Sequence, residues 1–211
     1  MSQTSRRNGY GLPVEEGMYD PLNEHDACGF GFIADIHNEP RHEIVHQALD
    51  IVHHMDHRGA IGADPMAGDG AGILIQLPDA FIRKVFAKQG VEVPAKGDYA
   101  LGMVFLPRDH KLRDLAIKAI EKTTADEGQI LLGWRDVPTD NSVLGESVKP
   151  NEPVIKQVLI QRGPDTADNA AFERKLYVIR KQAHHALWDK DEGSWQDFYF
   201  PSVSSATIVY K

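Results

Sequence analysis

The sequence has a single cysteine in 211 residues. One thiol cannot close an internal disulfide, so stability has to come from a core, and the composition suits a reducing compartment. Positive charge is also short: 23 Lys and Arg against 31 Asp and Glu give a net charge of -8. That balance argues against a nucleic-acid partner, because phosphate binding needs Lys and Arg clustered on one face. Long apolar runs are missing too. Arg6 and Arg7 stand near the start, but Pro13, Glu15, Glu16 and Asp20 occupy the place where a signal peptide carries its apolar stretch. The sequence therefore reads as neither secreted nor membrane-spanning, and a cytoplasmic protein is expected. There is no internal repeat, low-complexity tract or clear linker. What remains is ordinary for a soluble globular chain, with 42% hydrophobic and 26% charged residues, enough for the core of one domain or most of a larger one.

The lone cysteine sits in His25-Asp26-Ala27-Cys28-Gly29-Phe30-Gly31-Phe32-Ile33-Ala34, at the threshold of an apolar, glycine-punctuated run. Residues 1–27 read as a leader, rich in Ser, Gly, Arg and Gln at first and without apolar period. Cleavage between Ala27 and Cys28 would give Cys28 a free α-amine beside its own sulfur. An α-amine titrates near ~7.7–8.0 and a thiol near ~8.5, so at neutral pH the unprotonated amine can take the thiol proton. Base and nucleophile would then belong to one residue. Composition alone leaves two plainer alternatives open: a buried small hydrophobe at Cys28, and a terminus that stays attached.

Along the chain, Phe30 to Ile36 fits a largely buried strand, closed by the turn-like His37-Asn38-Glu39-Pro40. Ile44, Val45, Ala48, Leu49, Ile51, Val52 and Met55 recur at helical spacing and predict an amphipathic helix of about four turns. His53 and His57 lie four apart at its end, yet no acidic residue or second cluster completes a metal site, and imidazoles also suit a helix C-terminus. Gly68-Asp69-Gly70-Ala71-Gly72 lacks the Lys-Ser/Thr of a phosphate loop. It predicts a tight turn with close backbone approach, fixed by Asp64 and Asp69, leading into a strand over Ile73 to Leu77. Pro78 and Asp79 open a helix to about Gln89 with Phe81, Val85 and Phe86 as its inward stripe. Tyr99 to Leu106 reads as a strand, and Asp109 starts a helix burying Leu112, Leu115, Ala116, Ala119 and Ile120. Gln129 to Val137 and Val154 to Gln161 read as strands. Trp134 and Arg135 are left outside the site, the indole as a packed ring with a satisfied N–H. Asp165 to Asp168 precede one long helix with Phe172, Leu176, Ile179, Ala183 and Leu187 inward, and Phe198 to Lys211 suggests a strand or hairpin. Strands broken by helices in this order make an α+β layer protein.

Several of these blocks carry a resemblance. Cys28 to Ala34, His57-Arg58-Gly59-Ala60-Ile61-Gly62-Ala63-Asp64, Gly68 to Ile73, Gly133-Trp134-Arg135-Asp136-Val137-Pro138 and Ser204 to Lys211 resemble, in order, the start of the type-2 glutamine amidotransferase domain of glutamate synthase large subunits. The resemblance runs from about Tyr19 to the last residue. It implies the four-layer αββα sandwich of N-terminal-nucleophile hydrolases over residues 28–211, incomplete at its C-terminal end, and a leader over 1–27 lost before Cys28. It implies the glutaminase half-reaction of glutamate biosynthesis, with Cys28 as the catalytic nucleophile and Arg58, Gly29, Asp69 and Gly70 at or beside the substrate. Arg58 would favour the thiolate or cap the preceding helix.

The same resemblance places FMN and an iron-sulfur cluster further along the family protein, since one cysteine cannot hold a cluster. It names as partners glutamine, the remainder of the large subunit, and a small reductase subunit or ferredoxin, with NADPH, NADH or ferredoxin as electron donor. In the family an arginine clamping the glutamine carboxylate and an Asn-Gly oxyanion pair lie past the equivalent of Lys211, so the 211-residue chain alone is expected to be nearly inactive. Ala206 stands where the family has arginine, and Phe200-Pro201 where a cysteine-bearing stretch is common. Those departures keep open a truncated, non-catalytic relic acting as a binding module. Another amidotransferase of the same fold, and a metal role for His53, His54, His57, His184 and His185, are further alternatives.

Overall fold

A computed structural model of the chain describes residues 17, 29–55, 70–188 and 197–210. Its centre is a four-stranded antiparallel sheet in the order β3-β4-β2-β5, built from β2 (Tyr99–Leu106), β3 (Ile130–Asp136), β4 (Val154–Gln161) and β5 (Tyr199–Ser204). Tyr99 pairs with Gln161 and Leu106 with Val154, so β2 and β4 match along their full length. β2 is apolar nearly throughout because the sheet is covered on both faces there, whereas β4 interrupts its apolar run with Lys156, Gln157 and Gln161. Alternate side chains of β2 divide the core. Ala100, Val104 and Leu106 join the buried cluster under the helices, whereas Tyr99, Leu101 and Met103 join a second cluster on the opposite face.

On the first face lie α3 (His110–Asp126) and α4 (Asn169–Trp188). Asp109 caps α3, its Oδ1 accepting the Leu112 N–H at 2.9 Å, and these backbone bonds hold its carboxyl below the usual range. At the start of α4, Asp168 Oδ1 accepts the Ala171 N–H at 2.7 Å. Phe172, Leu176, Ile179, Ala183 and Leu187 are all buried, as their spacing predicts. In α3 the stripe is turned slightly: Ala116 and Ile120 are buried, but Leu115 is half exposed, and Thr123 and Thr124 take inward positions instead. They are tolerated there because Thr123 Oγ1 donates to Ala119 O at 2.9 Å and Thr124 Oγ1 to Ile120 O at 2.7 Å.

The second face carries a two-stranded antiparallel ribbon, β1 (Ile73–Gln76) with β6 (Thr207–Tyr210), and α2 (Asp79–Ala87). Ile82 and Phe86 of α2 are buried with Leu77 and Ile208. Phe81 is not part of the inward stripe: it is exposed, and the Arg135 guanidinium sits 5.5 Å from its ring centroid. The final segment is not a hairpin within one sheet. β5 closes the four-stranded sheet, the chain turns over Ser205 and Ala206, and β6 belongs to the ribbon. Pro201 fits because β5 is an edge strand.

A polar clasp ties α2 to β2 inside this second layer. Asp79 Oδ1 accepts the buried Tyr99 hydroxyl at 2.8 Å, and its Oδ2 accepts Arg83 Nε at 2.9 Å, while Arg83 Nη1 donates to Val93 O at 2.6 Å. The Arg83 bond comes first in holding the Asp79 carboxyl low, while burial, then the Asp79 bond, pushes the Tyr99 hydroxyl up. A carboxylate lowered by folding adds stability above its unfolded value of about 3.9, and that stability is lost as pH falls through the folded value. Asp79→Asn is therefore expected to melt below wild type at about pH 6, with the gap narrowing as pH falls below about 3.9. Melting curves above and below that value check this.

The remaining helix, α1 (His42–His54), follows the predicted spacing, but none of its residues is fully buried. Before it, residues 29–36 overturn the expectation of a buried strand. Phe30, Phe32 and Ile36 are exposed, and none of residues 29–34 makes a backbone hydrogen bond to another described residue. An apolar run becomes a strand only where a ladder partner accepts its N–H and C=O groups, and the ribbon among the described residues stops at two strands.

Candidate functional site

Of the residues that sequence marks for the site, Gly29 and Gly70 are described. Cys28, Arg58 and Asp69 lie outside the described residues, as do the leader, apart from Gly17, and the His57 to Asp64 block. Gly29 is exposed and lies outside helix and strand. Gly70 is exposed at φ +88°, a left-handed conformation, just ahead of β1. Such a φ costs a residue with a Cβ about 1–2 kcal/mol, while the Gly68-Asp69 part of the expected turn lies outside the described residues.

The two segments meet the same helix. A Cβ on Gly31 would stand 2.7 Å from Ile51 Cγ2, so the chain leaving Cys28 passes hard against α1 at a point only glycine fits without displacing that side chain. α1 also touches β1, the strand that follows Gly70. The exit from the first segment is pinned by Asp35, whose Oδ1 accepts the His37 N–H at 2.7 Å and whose Oδ2 pairs with Arg41. The Arg41 bond is the main reason the Asp35 carboxyl is held low. At the far end, His54 Nδ1 donates to Asp50 O at 2.7 Å, so this ring is engaged with its own helix.

Sequence reasoning missed the polar contacts that position the ribbon. Gln157, fully buried on β4, accepts from Arg135 Nη1 at 2.8 Å and donates to the Tyr210 hydroxyl at 3.3 Å, joining the sheet to the end of β6 that pairs with Ile73. Arg135 thus bonds Gln157 and lies over the Phe81 ring. Trp134 behaves as read, partly buried with Nε1 donating to Glu121 Oε1 at 3.2 Å. At the turn between β5 and β6, Glu173 Oε1 accepts from Ser204 Oγ at 3.1 Å, Ser205 N at 2.7 Å and Ser205 Oγ at 2.6 Å. Ala206 is exposed beside this clamp, and its carbonyl accepts the Leu77 N–H at 2.9 Å. A glutamate on a helix 31 residues upstream gives no sequence signal that it will hold this turn.

Among the described residues no group of three or more His, Cys, Asp or Glu is disposed to hold a metal ion. His184 and His185 stand edge to face, and burial first, then His185 and Lys181, lowers the His184 pKa. No helix among the described residues is long and apolar enough to cross a membrane.

Helices covering one face of an antiparallel sheet, with an antiparallel ribbon across the other, define an α+β protein. The family model for class-II glutamine amidotransferases matches residues 28–211, so the chain belongs to that family. Among curated relatives it is 46% identical over 200 residues to the glutamate synthase [NADPH] large chain of Bacillus subtilis (strain 168), covering 95% of this chain and 13% of the relative. It is 38% identical over 205 residues to glutamate synthase [NADH] of Schizosaccharomyces pombe, covering 95% and 10%. A ferredoxin-dependent glutamate synthase 2, chloroplastic, of Arabidopsis thaliana is 38% identical over 195 residues, covering 92% and 12%. The chain thus spans about an eighth or less of the length of these relatives.

Proposed function

We propose that this chain supplies the nucleophile, Cys28, for the glutaminase half-reaction as part of a larger glutamate synthase, and that the 211-residue chain alone is nearly inactive. The observation that carries the reading is that the family match begins on the sole cysteine of the sequence. With its own α-amine free, Cys28 gives up the thiol proton to that amine and its sulfur attacks the side-chain amide carbon of glutamine. The C–S bond forms, the C–N bond breaks, and the leaving nitrogen takes the proton and departs as ammonia. Water then adds to the γ-glutamyl thioester, releasing glutamate and restoring the thiol. Arg58 favours the thiolate through its charge, and Gly29, Asp69 and Gly70 shape the backbone beside the substrate. The helix layer, sheet and ribbon support the four-layer αββα arrangement as the complete form of the fold.

Ammonia is passed on to 2-oxoglutarate elsewhere in the larger protein, where FMN and an iron-sulfur cluster act with NADPH, NADH or ferredoxin as donor and a small reductase subunit or ferredoxin as partner. This chain's residues do not fit a cluster: four thiolates, or two with two imidazoles, are needed, and the sequence has one cysteine.

The test is labelling with a glutamine analogue carrying an electrophilic carbon in place of the side-chain amide, read by intact mass. A single thiol makes the adduct assignable. The expected result is a protein from its native cells whose mass begins at Cys28 and which takes up one label, at least about tenfold more slowly when glutamine is present. A mass retaining Met1 or Ser2, together with no glutamine-protected label, overturns the reading in favour of the binding module.

A further inference from the structure

We propose that His42 and His46, one turn apart at the start of α1, form a two-imidazole site for a divalent ion of the late first transition row, such as zinc. Both side chains are exposed, and their ring centroids stand 4.6 Å apart with the planes tilted by 49°. An ion about 2.0–2.1 Å from one nitrogen of each ring lies about 3.2 Å from each centroid. Two imidazoles meeting it at a right or a tetrahedral angle then have centroids about 4.5–5.2 Å apart. The observed spacing falls in that range. Residues four apart on a helix are neighbours on one face, so the backbone of α1 sets this distance before any ion arrives.

The local charges suit a cation. Arg41, next to His42 in the chain, is paired with Asp35, and Glu43 stands in the first turn of α1. The histidines elsewhere are differently placed. His184 and His185 have centroids 6.3 Å apart, wider than two ligands at such angles allow, and Lys181 and Arg180 act on His184 as positive charges. His54 has its Nδ1 engaged with Asp50 O. No third His, Cys, Asp or Glu among the described residues completes a group at α1. Water therefore takes the remaining positions, and the ion is exchangeable rather than locked in a closed structural site.

The ion acts on a weakly held helix. α1 has 13 residues, none of them fully buried, and Arg41 at its N-cap makes no side-chain capping bond. A helix of that length is marginal by itself in water. Bridging residues 42 and 46 ties its first turn to its second, and an ion that binds only the folded helix stabilises it by mass action. The same helix carries Ile51, against which Gly31 lies. The site is thus a staple on the element that backs the segment following Cys28. It is read by binding and holds whether or not the glutaminase reading does.

The experiment is titration of zinc chloride into the 211-residue chain bearing Cys28→Ser, which removes the competing thiol, followed by calorimetry and by proton–nitrogen spectra of the imidazoles. The His42 and His46 signals are expected to shift together, with one ion bound per chain. His42→Gln, His46→Gln and the double variant should each weaken this binding at least about tenfold and to the same degree, because one imidazole does not chelate. Removing a group that merely orients a ligand already costs about 10–100-fold. At zinc tenfold above its dissociation constant, amide exchange over residues 46–50 should slow about tenfold, since opening those turns releases the ion. His53→Gln on the same helix should change neither readout. Both ligand positions are exposed, so the variants keep their fold, which melting with a chelator present verifies. Small, independent losses from the two single variants overturn the proposal. So does zinc that shifts His53, His184 or His185 instead, and so does the absence of saturable binding.

Discussion

Gly163→Ala is expected to lower stability by about 3–4 kcal/mol, at the upper end of what overpacking costs, and melting by roughly 6–16 °C for a chain of this size. A Cβ at that position would lie 1.8 Å from the Gly128 carbonyl oxygen. Backbone stands against backbone there, so no rotamer change relieves the clash. The neighbouring chain is also fixed. Gln129 is buried, its Oε1 accepting the Gly163 N–H at 2.9 Å, its Nε2 donating to Glu127 O at 2.9 Å and to Thr166 Oγ1 at 2.9 Å. One side chain thereby ties the turn after α3 to the turn before α4, and Gly128 itself sits at φ +71°. Displacing this point strains both helices against the sheet. Gly90→Ala is the control, since Gly90 has φ +73° but nothing within 4 Å of a Cβ, and only the conformational cost of about 1–2 kcal/mol applies. Melting curves of the two variants separate close approach from backbone strain, and equal losses would discard the packing account.

Neither effect is legible in a sequence that shows both positions only as glycine near a turn. Periodicity does locate the elements whose stripes face one neighbour: α4 matches at every named position, and β2 and β4 match at both ends. It fails where a residue's surroundings come from another part of the chain. Leu115 and Phe81 sit at the margins of their stripes, where a rotation of a few tens of degrees decides which side chain is covered, and Ile82 and the threonines of α3 took the inward places. Phe30 to Ile36 has strand composition without a described ladder partner. The site is the reverse case. The chemistry proposed for it rests on Cys28 and the flanking motifs, which are read from sequence alone, whereas the contacts that hold the ribbon, through Glu173 and Gln157, depend on tertiary placement alone.

Phe172→Ala shows how far that placement reaches. Phe172 is fully buried in the cluster between α4 and the sheet, and truncating such a ring leaves a cavity costing about 3–5 kcal/mol. Melting should fall by roughly 6–20 °C. Tyr177, one and a half turns along the same helix, is more than half exposed, and Tyr177→Ala should stay within about 0.5 kcal/mol of wild type. The consequence goes beyond stability because α4 carries both residues that hold the last strands: Glu173, clamping Ser204 and Ser205, and Arg180, bonded to the carbonyls of β5. A helix that seats poorly loosens the turn into β6, and β6 is the described partner of β1, the strand that follows Gly70. At a temperature where the variant is still folded, amide exchange in β6 and β1 should therefore quicken more than in β3, which is tied to the sheet independently through β4. Uniform quickening across the three strands would mean that the ribbon is not suspended from α4, and that the site's backbone is held from elsewhere.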